Sequence, residues 1–189
     1  MGYLNVGQCG VLELFPSVAS CDGSTQGVQN WGYISKGYGL TGMTVNSSGT
    51  CSSLTFQSGK TFFTANPEAE TCQIKITANT NKYKNTTYTA VFNGTIGGWD
   101  DQTRETFSVI QKTNGHIWVQ LMSNEYLLIG VQNETNPALS QGAKLTKQEW
   151  DSGIDSESDY SGVAFEFTAK SSTKPRRILP TVMTSSVTV

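Results

Sequence analysis

Few residues in this chain have side chains that commonly catalyse reactions, and their spacing matches no familiar catalytic motif. The only histidine is His116, so a Ser-His-Asp or Cys-His arrangement would have to include it. Glu105 and Glu166 are the two glutamates that a glycosidase could use as a pair, but single glutamates on helices or strands are usually surface residues. Glycine-rich phosphate-binding motifs and the H-E-x-x-H zinc motif do not occur. We therefore expect no enzymatic activity, no catalytic residues and no cofactor.

Three carboxylates at alternate positions, Asp155, Glu157 and Asp159, could converge on a calcium ion. An EF-hand loop needs glycine at its sixth position, and Tyr160 stands there instead. These acids therefore predict a solvated acidic loop and no metal site.

The cysteines and the aromatic residues each allow two interpretations. No two cysteines have the C-x-x-C spacing of a zinc or redox site, which favours buried thiols in a reducing compartment, with disulfides in an exported particle as the alternative. The four cysteines are Cys9, Cys21, Cys51 and Cys72. Several aromatic side chains could form a carbohydrate-binding platform, although core packing explains most of them. The aromatic candidates are Trp31, Tyr33, Tyr38, Trp99, Trp118 and Trp150.

Length and charge narrow the class of protein. The chain has 189 residues, which is enough for one domain with a sizeable core. Charged residues make up 15% and the net charge is -2, so no strong positive field is present to hold a polyanion such as DNA. No run of about 18 apolar residues predicts a membrane span. The N-terminus lacks a basic leader and an apolar core, so we expect synthesis in the cytoplasm.

Alternating apolar and polar residues predict an antiparallel β-sandwich or barrel-like domain. Residues 72–77 and 88–92 form one expected hairpin across the polar turn 79–85, and residues 116–122 and 126–131 form a second, more apolar one. A third hairpin is expected between residues 54–56 and 61–63 around Gly59.

One short flanking α-helix is expected at about residues 100–112. Asp100 can cap its first turn, and Lys112 precedes an Asn-Gly pair at its end. The remaining strong strand signal is at residues 163–170.

Residues 1–175 are expected to form a single β-rich domain, with Gly/Ser-rich strands and loops at 1–60 and the main core at 61–175. Residues 132–161 are interpreted as a polar connection and residues 176–189 as an extended C-terminal arm. The connection 132–161 and the tail from Thr181 are expected to become ordered mainly on contact with neighbouring molecules.

The order of elements over about residues 61–175 resembles that of bacteriophage tail tube proteins, and more loosely the wider tail tube and type VI secretion tube family. The resemblance is carried by the helix Asp100-Asp101-Gln102-Thr103-Arg104, by the hairpin from Gly115-His116-Ile117-Trp118-Val119 to Tyr126-Leu127-Leu128-Ile129-Gly130, and by the strand after Asp159-Tyr160-Ser161-Gly162 with its Lys174-Pro175 exit. It implies a subunit that forms a ring, typically hexameric, whose inner sheets join around a lumen.

If the resemblance holds, two groups of residues are candidates for assembly. An acidic stretch would line the lumen or lie between rings, and its members are Glu149, Asp151, Asp155, Glu157 and Asp159. An apolar hairpin would form the subunit interface through Ile117, Trp118, Val119, Leu127 and Ile129, unless its two apolar faces are buried at the centre of the subunit's own sandwich.

The function expected from these features is that of a structural virion protein, most simply a tail tube subunit. Its partners would be copies of itself and other virion proteins, with DNA as passing cargo and no membrane contact. The assembled protein would be located in the virion, after assembly in the bacterial cytoplasm. The alternatives are a capsid decoration or head-tail component, or a carbohydrate-binding β-domain.

Overall fold

Two β-sheets make up most of the computed structural model, which describes residues 27–36, 39–60, 62–65, 71–97, 101–151 and 162–186. The prediction of a mainly β fold, a sandwich with a short helix, is confirmed. The strands within the described residues are β1 (Val28–Ser35), β2 (Leu40–Val45), β3 (Cys51–Phe56), β4 (Phe63–Ala65), β5 (Gln73–Thr80), β6 (Thr86–Gly97), β7 (Gly115–Leu121), β8 (Tyr126–Ile129), β9 (Lys144–Asp151), β10 (Gly162–Ser171) and β11 (Arg176–Ile178). The helices are α1 (Asp101–Lys112), α2 (Pro180–Ser186) and a 3-10 turn (Pro137–Leu139).

Sheet A contains seven strands in the order β2-β3-β11-β8-β7-β1-β4, and sheet B contains four in the order β5-β6-β10-β9. All neighbours in sheet B are antiparallel. In sheet A, β11 is parallel to β3 and antiparallel to β8. The expected hairpins β5–β6 and β7–β8 are both present.

The main core lies between the two sheets, because alternate residues of β6 and β10 point at β1 and β7. Trp31 of β1 is at its centre and is fully buried. Its ring centroid lies 5.4 Å from that of Phe92, 5.0 Å from that of Phe165 and 5.8 Å from that of Phe167. Aromatic pairs at such distances each add about 0.5–1.5 kcal/mol beyond the area they bury.

Helix α1 covers one end of this core. Phe107 and Ile110 are buried and three residues apart, so they lie on the same face of the helix. The Phe107 ring packs edge-on against Trp150, at 6.0 Å between centroids, and against Phe165 at 5.9 Å. This helix was expected at about 100–112, and it spans Asp101–Lys112.

A second apolar cluster lies on the opposite face of sheet A. Trp118 and Leu128 contribute to it from β7 and β8, while Val182 and Met183 contribute from α2. Sheet A is therefore buried on both faces, which explains the nearly continuous apolar runs of β7 and β8.

Three expectations about local structure were wrong. Residues 54–56 and 61–63 do not form a hairpin, because β3 pairs with β2 and β11 while β4 pairs with β1. The connection 132–161 contains a strand, β9, that pairs with β10. Finally, residues 176–186 are not an extended arm, since β11 lies inside sheet A and α2 forms a second helix.

Candidate functional site

Sheet B ends in two strands, β5 and β9, each paired on one side within the described residues. Each contains eight residues. Because the sheet has four antiparallel strands, the two edge strands run in opposite directions. An edge strand presents a row of backbone N–H and C=O groups with which another chain can pair.

The turn at the end of β5 identifies which of its backbone groups face outward. The Asn81 N–H donates to the Asn85 carbonyl over 3.0 Å, and hydrogen-bonded pairs alternate along an antiparallel ladder. Asn79 and Thr77 therefore point their backbone groups at β6. The outward groups are those of Ile74, Ile76, Ala78 and Thr80.

Edge strand β9 contains a bulge opposite two consecutive residues of β10. Glu166 of β10 pairs with Lys147 of β9, and Phe167 of β10 pairs with Leu145, so one residue of β9 is left over between them. The additional residue, Thr146, donates through its Oγ1 to a Glu166 carboxylate oxygen over 2.8 Å. Such a bulge bends a strand and increases its twist.

The two edges are also offset along the strand direction. Strand β9 extends along β10 only as far as Thr168. Strand β5 begins at Gln73, level with Asn93 and Glu166, and continues away from β9 towards its turn. Sheet B is therefore sheared, which is the property that allows a sheet to close with tilted strands.

The outer face of sheet B, which points away from the core, is polar. Threonine and asparagine side chains occupy most of the centre of this face. The charged residues that the strand register places on the outer face are Lys75, Lys144, Lys147, Lys170, Glu149 and Glu166. Lys147 and Glu149 form an ion pair with 2.9 Å between Nζ and Oε2. The hydrogen bond to Glu149, together with its charge, raises the pKa of Lys147.

The turn between β5 and β6, Asn81–Asn85, projects beyond the end of β10. We call this turn the basic tip. The Asn81 side-chain oxygen accepts hydrogen bonds from the Tyr83 N–H at 2.9 Å and the Asn85 N–H at 3.0 Å. Lys82 and Lys84 flank Tyr83, whose side chain is 71% exposed, and the Lys82 ammonium lies 4.9 Å from the ring centroid. The tip is thus a fixed, positively charged projection.

The opposite end of sheet B is acidic. Gly97, Gly162 and Asp151 are level with one another there. Helix α1 begins four residues after Gly97 and exposes Asp101 and Glu105. We call the described residues at this end, 97, 101–105, 147–151 and 162, the acidic end, and they contain four acids and two basic residues. The acids are Asp101, Glu105, Glu149 and Asp151, and the basic residues are Arg104 and Lys147.

The acidic stretch expected from the sequence is only partly within the described residues. Glu149 is exposed on β9 and Asp151 ends that strand. Asp155, Glu157 and Asp159 lie outside the described residues. The structure therefore places the first two at the edge of sheet B and near its acidic end.

The side chains of the apolar hairpin, which was expected at a subunit interface, are covered by the chain itself. Its side chains are buried within the chain, with Ile117 and Val119 fully enclosed in the main core. Leu127 is half-buried against that core, and Ile129 is a buried member of it. Trp118 points to the second cluster. Alternation on a strand sends neighbouring side chains to opposite faces, so the two sheet faces account for the apolar character.

His116 is fully buried on β7. The pKa of its imidazole is lowered to about 4, chiefly by burial and in smaller part by the charge of Lys36, while the Gly130 and Pro137 carbonyls partly oppose the lowering. Neither ring nitrogen makes a well-directed hydrogen bond to any of the described residues. This environment keeps the imidazole neutral and away from solvent.

The two glutamates considered as a glycosidase pair lie on different surfaces. Glu105 is exposed on α1, which packs on the inner side of sheet B through Phe107 and Phe165. Glu166 follows Phe165 on β10, so it belongs to the outer face. The sheet separates the two carboxylates.

Most of the aromatic residues that could form a carbohydrate platform lie in the core. Trp31, Tyr33 and Trp118 are buried, and Trp150 packs against Phe107. Tyr38 and Trp99 lie outside the described residues. Core packing therefore accounts for the four aromatic candidates that the structure describes.

Of the four cysteines, Cys51 and Cys72 are buried free thiols. Burial raises the pKa of both, that of Cys72 to about 11. Cys9 and Cys21 lie outside the described residues.

No family model matches this chain, and no curated protein or solved structure matches it either. Within the ranges that the structure describes, no three His, Cys, Asp or Glu side chains are grouped to hold a metal ion. The helices in those ranges are all too short or too polar to cross a bilayer.

Sequence patterns did not identify the two edges of sheet B as a candidate site. The alternation of apolar and polar residues identified β5 as a strand, but its position at an edge of the sheet depends on the pairing of distant strands. Strand β9 was hidden because the bulge at Thr146 interrupts the period-two pattern.

Proposed function

We propose that this protein is a structural subunit that assembles into rings and tubes, most simply a bacteriophage tail tube protein without enzymatic activity. The observation that supports the proposal is the pair of oppositely directed, eight-residue edge strands of sheet B, each of which pairs with one strand among the described residues. DNA would pass through the assembled tube as cargo, inside a virion built in the bacterial cytoplasm.

In the proposed assembly, β5 of one copy pairs with β9 of the next. The two strands run in opposite directions, so every joint is antiparallel and the sheet continues from subunit to subunit. A head-to-tail contact of this kind closes into a ring when a whole number of rotations from one copy to the next makes a full turn. Ring closure also protects both edges from unrelated strands.

The shear of sheet B suits such a ring. Copies related by a ring axis lie at the same height, whereas β5 and β9 are offset along the strand direction. Tilting the strands relative to the axis brings the two edges level, as in closed β-barrels. A six-membered ring, as in the tail tube family, is the simplest expectation.

A capsid decoration or head-tail component could use the same edges and remains the nearest alternative. The carbohydrate-binding alternative has less support, because Trp31, Tyr33 and Trp118 are enclosed in the core. Trp150 is occupied by its contact with Phe107.

The experiment is electron microscopy and light scattering of the full chain with a substitution on the β5 edge. Ala78 is exposed and its N–H points outward, so Ala78→Pro removes an edge donor without removing a β5–β6 hydrogen bond. Ala78→Ser keeps the N–H and is the matched control. We expect rings from the wild type and from Ala78→Ser, and monomers from Ala78→Pro with an unchanged circular dichroism spectrum.

A wild-type protein that remains monomeric at high concentration contradicts the proposal. Rings that form equally well from Ala78→Pro also contradict it, because assembly would then use another surface.

A further inference from the structure

We propose that the half of the outer face of sheet B nearest the basic tip binds single-stranded nucleic acid, with its lysines on phosphates and Tyr83 stacked on a base. We call this half, together with the tip, the lysine face. The inference goes beyond the proposed assembly and does not depend on it, because each copy contains the whole surface.

The net charge of the chain conceals an uneven distribution of charge. All 13 basic residues lie within the described ranges, together with only seven of the 15 acids. The described part therefore has a net charge of six positive, although that of the whole chain is -2. Four basic residues form ion pairs, and no acid within those ranges pairs with the other nine, which are all lysines.

Five of these nine lysines lie on the lysine face. Strand register places Lys75 and Lys144 at the same level on the two edge strands, and Lys170 two residues further towards the tip on β10. Lys82 and Lys84 continue the series onto the tip, and all five side chains are exposed. Because sheet strands lie about 4.8 Å apart, this basic surface is about 14 Å wide.

The acid nearest to these lysines on the described outer face is already compensated. Glu166 lies one step further from the tip, where it is opposite Lys147. Its carboxylate accepts a hydrogen bond from Thr146 over 2.8 Å. Nearer the tip, the described outer face has no acid, so its lysines are available to an anionic partner.

The other side chains of the lysine face favour nucleic acid over protein. Thr77, Asn79 and Thr89 lie between the lysines, and hydroxyl and amide groups of this kind donate hydrogen bonds to phosphate oxygens. A protein interface needs an apolar centre. Val91, which is half-buried, is the only aliphatic side chain that the register places on this half of the described face.

Tyr83 favours a single strand over a duplex. Its side chain is 71% exposed, with the Lys82 ammonium 4.9 Å from the ring centroid. Two hydrogen bonds to the Asn81 side chain fix the turn, so binding costs little conformational entropy. An exposed aromatic ring stacks on an unpaired base, whereas the bases of a duplex are already stacked on each other.

The test is fluorescence anisotropy of a labelled oligothymidine titrated with the full chain at several salt concentrations. The face variant is Lys84→Gln with Lys170→Gln, which leaves both edge strands of sheet B unchanged. The control variant, Lys60→Gln with Lys112→Gln, makes the same change of charge at exposed lysines outside the lysine face. Circular dichroism and thermal unfolding establish that each variant is folded.

We expect the face variant to bind about tenfold more weakly or worse, and the control variant to bind as the wild type does. Each phosphate contact on a single strand contributes about 0.7 to the slope of log affinity against log salt, so the face variant should lose about 1.4 of that slope. Tyr83→Ala should weaken binding about fivefold or more, whereas Tyr83→Phe, which keeps the ring, should bind normally.

A wild-type chain that does not bind the oligonucleotide overturns the inference, as does a face variant that binds as tightly as its control. Equal binding by Tyr83→Ala and Tyr83→Phe, or tighter binding of a duplex of the same length, overturns the assignment to a single strand. Polyglutamate that competes as well as unlabelled oligothymidine shows an acidic protein partner instead. Ring formation is measured separately on the same samples, so failure of the proposed assembly is distinguished from failure of nucleic-acid binding.

Discussion

The Sγ atom of Cys72 occupies the space in which a side chain on Gly94 would begin. A Cβ built on Gly94 would lie only 1.9 Å from this sulfur, and 3.1 Å from the Cys72 Cα. Gly94 is opposite Phe165 on the inner face of sheet B. The thiol therefore fills the gap left by the glycine and completes the packing of the core.

We predict that Gly94→Ala destabilises the fold by about 1–3 kcal/mol, the usual cost of overpacking a core. Urea unfolding followed by tryptophan fluorescence measures the difference. Gly42→Ala is the matched control, because its Cβ would lie 3.6 Å from the nearest atom, in Thr55. Equal stability of the two variants would show that Cys72 moves aside without cost.

A second prediction concerns acid stability and His116. Its pKa in the folded protein is about 4 against an ordinary value of 6.5, so the folded state binds the proton less readily than the unfolded chain. The stability due to this residue is complete above pH 6.5 and falls as the pH drops from 6.5 towards 4. The slope approaches about 1.4 kcal/mol per pH unit in that range, to a total on the order of 3 kcal/mol.

Nuclear magnetic resonance measures this pKa without ambiguity, since the chain has a single histidine. His116→Phe keeps an aromatic ring and removes the titration, so the slope of stability between pH 6.5 and 5 should disappear in that variant. An imidazole resonance that titrates near pH 6.5 in the folded protein would contradict the prediction.

A third prediction concerns the way in which β11 joins β3 to β8 in sheet A. Ile178 pairs with Cys51 and is 3% exposed, whereas its neighbour Leu179 is 38% exposed. Ile178→Ala should cost about 2–5 kcal/mol, as is usual for a buried isoleucine, and Leu179→Ala less than about 1 kcal/mol. Urea unfolding gives both values.

The rate of thiol labelling provides an independent measurement of how well β11 covers its neighbours in sheet A. Cys51 is fully buried and its pKa is raised, so native protein should react slowly with thiol reagents at Cys51. Ile178→Ala should accelerate this reaction, and Leu179→Ala should not. Equal labelling rates would mean that β11 does not protect Cys51.

Local pattern predicted the elements whose neighbours are close in sequence. The alternation around Ile74 and Phe92 identified a hairpin, and the cap and spacing of Phe107 and Ile110 identified the helix. In each case the buried residues repeat with the period of the element, so the pattern itself carries the information.

The elements that were missed are specified by distant contacts. Strand β11 has three residues, and its place between β3 and β8 depends on the chain returning to sheet A. The apolar hairpin was equally compatible with a core or an interface, because hydrophobicity indicates burial without indicating what covers the residue. The edges of sheet B depend on the strand order, which is not visible in any single segment.

The position of β11 has a consequence for the order of folding during synthesis. Sheet B is complete once residue 171 has been made, whereas sheet A needs Arg176–Ile178 to join β3 to β8. Contacts between strands so far apart in sequence form slowly. A newly made chain therefore has the two edge strands of sheet B in place while part of sheet A is still unpaired, and crowding of nascent chains at this stage favours misassembly.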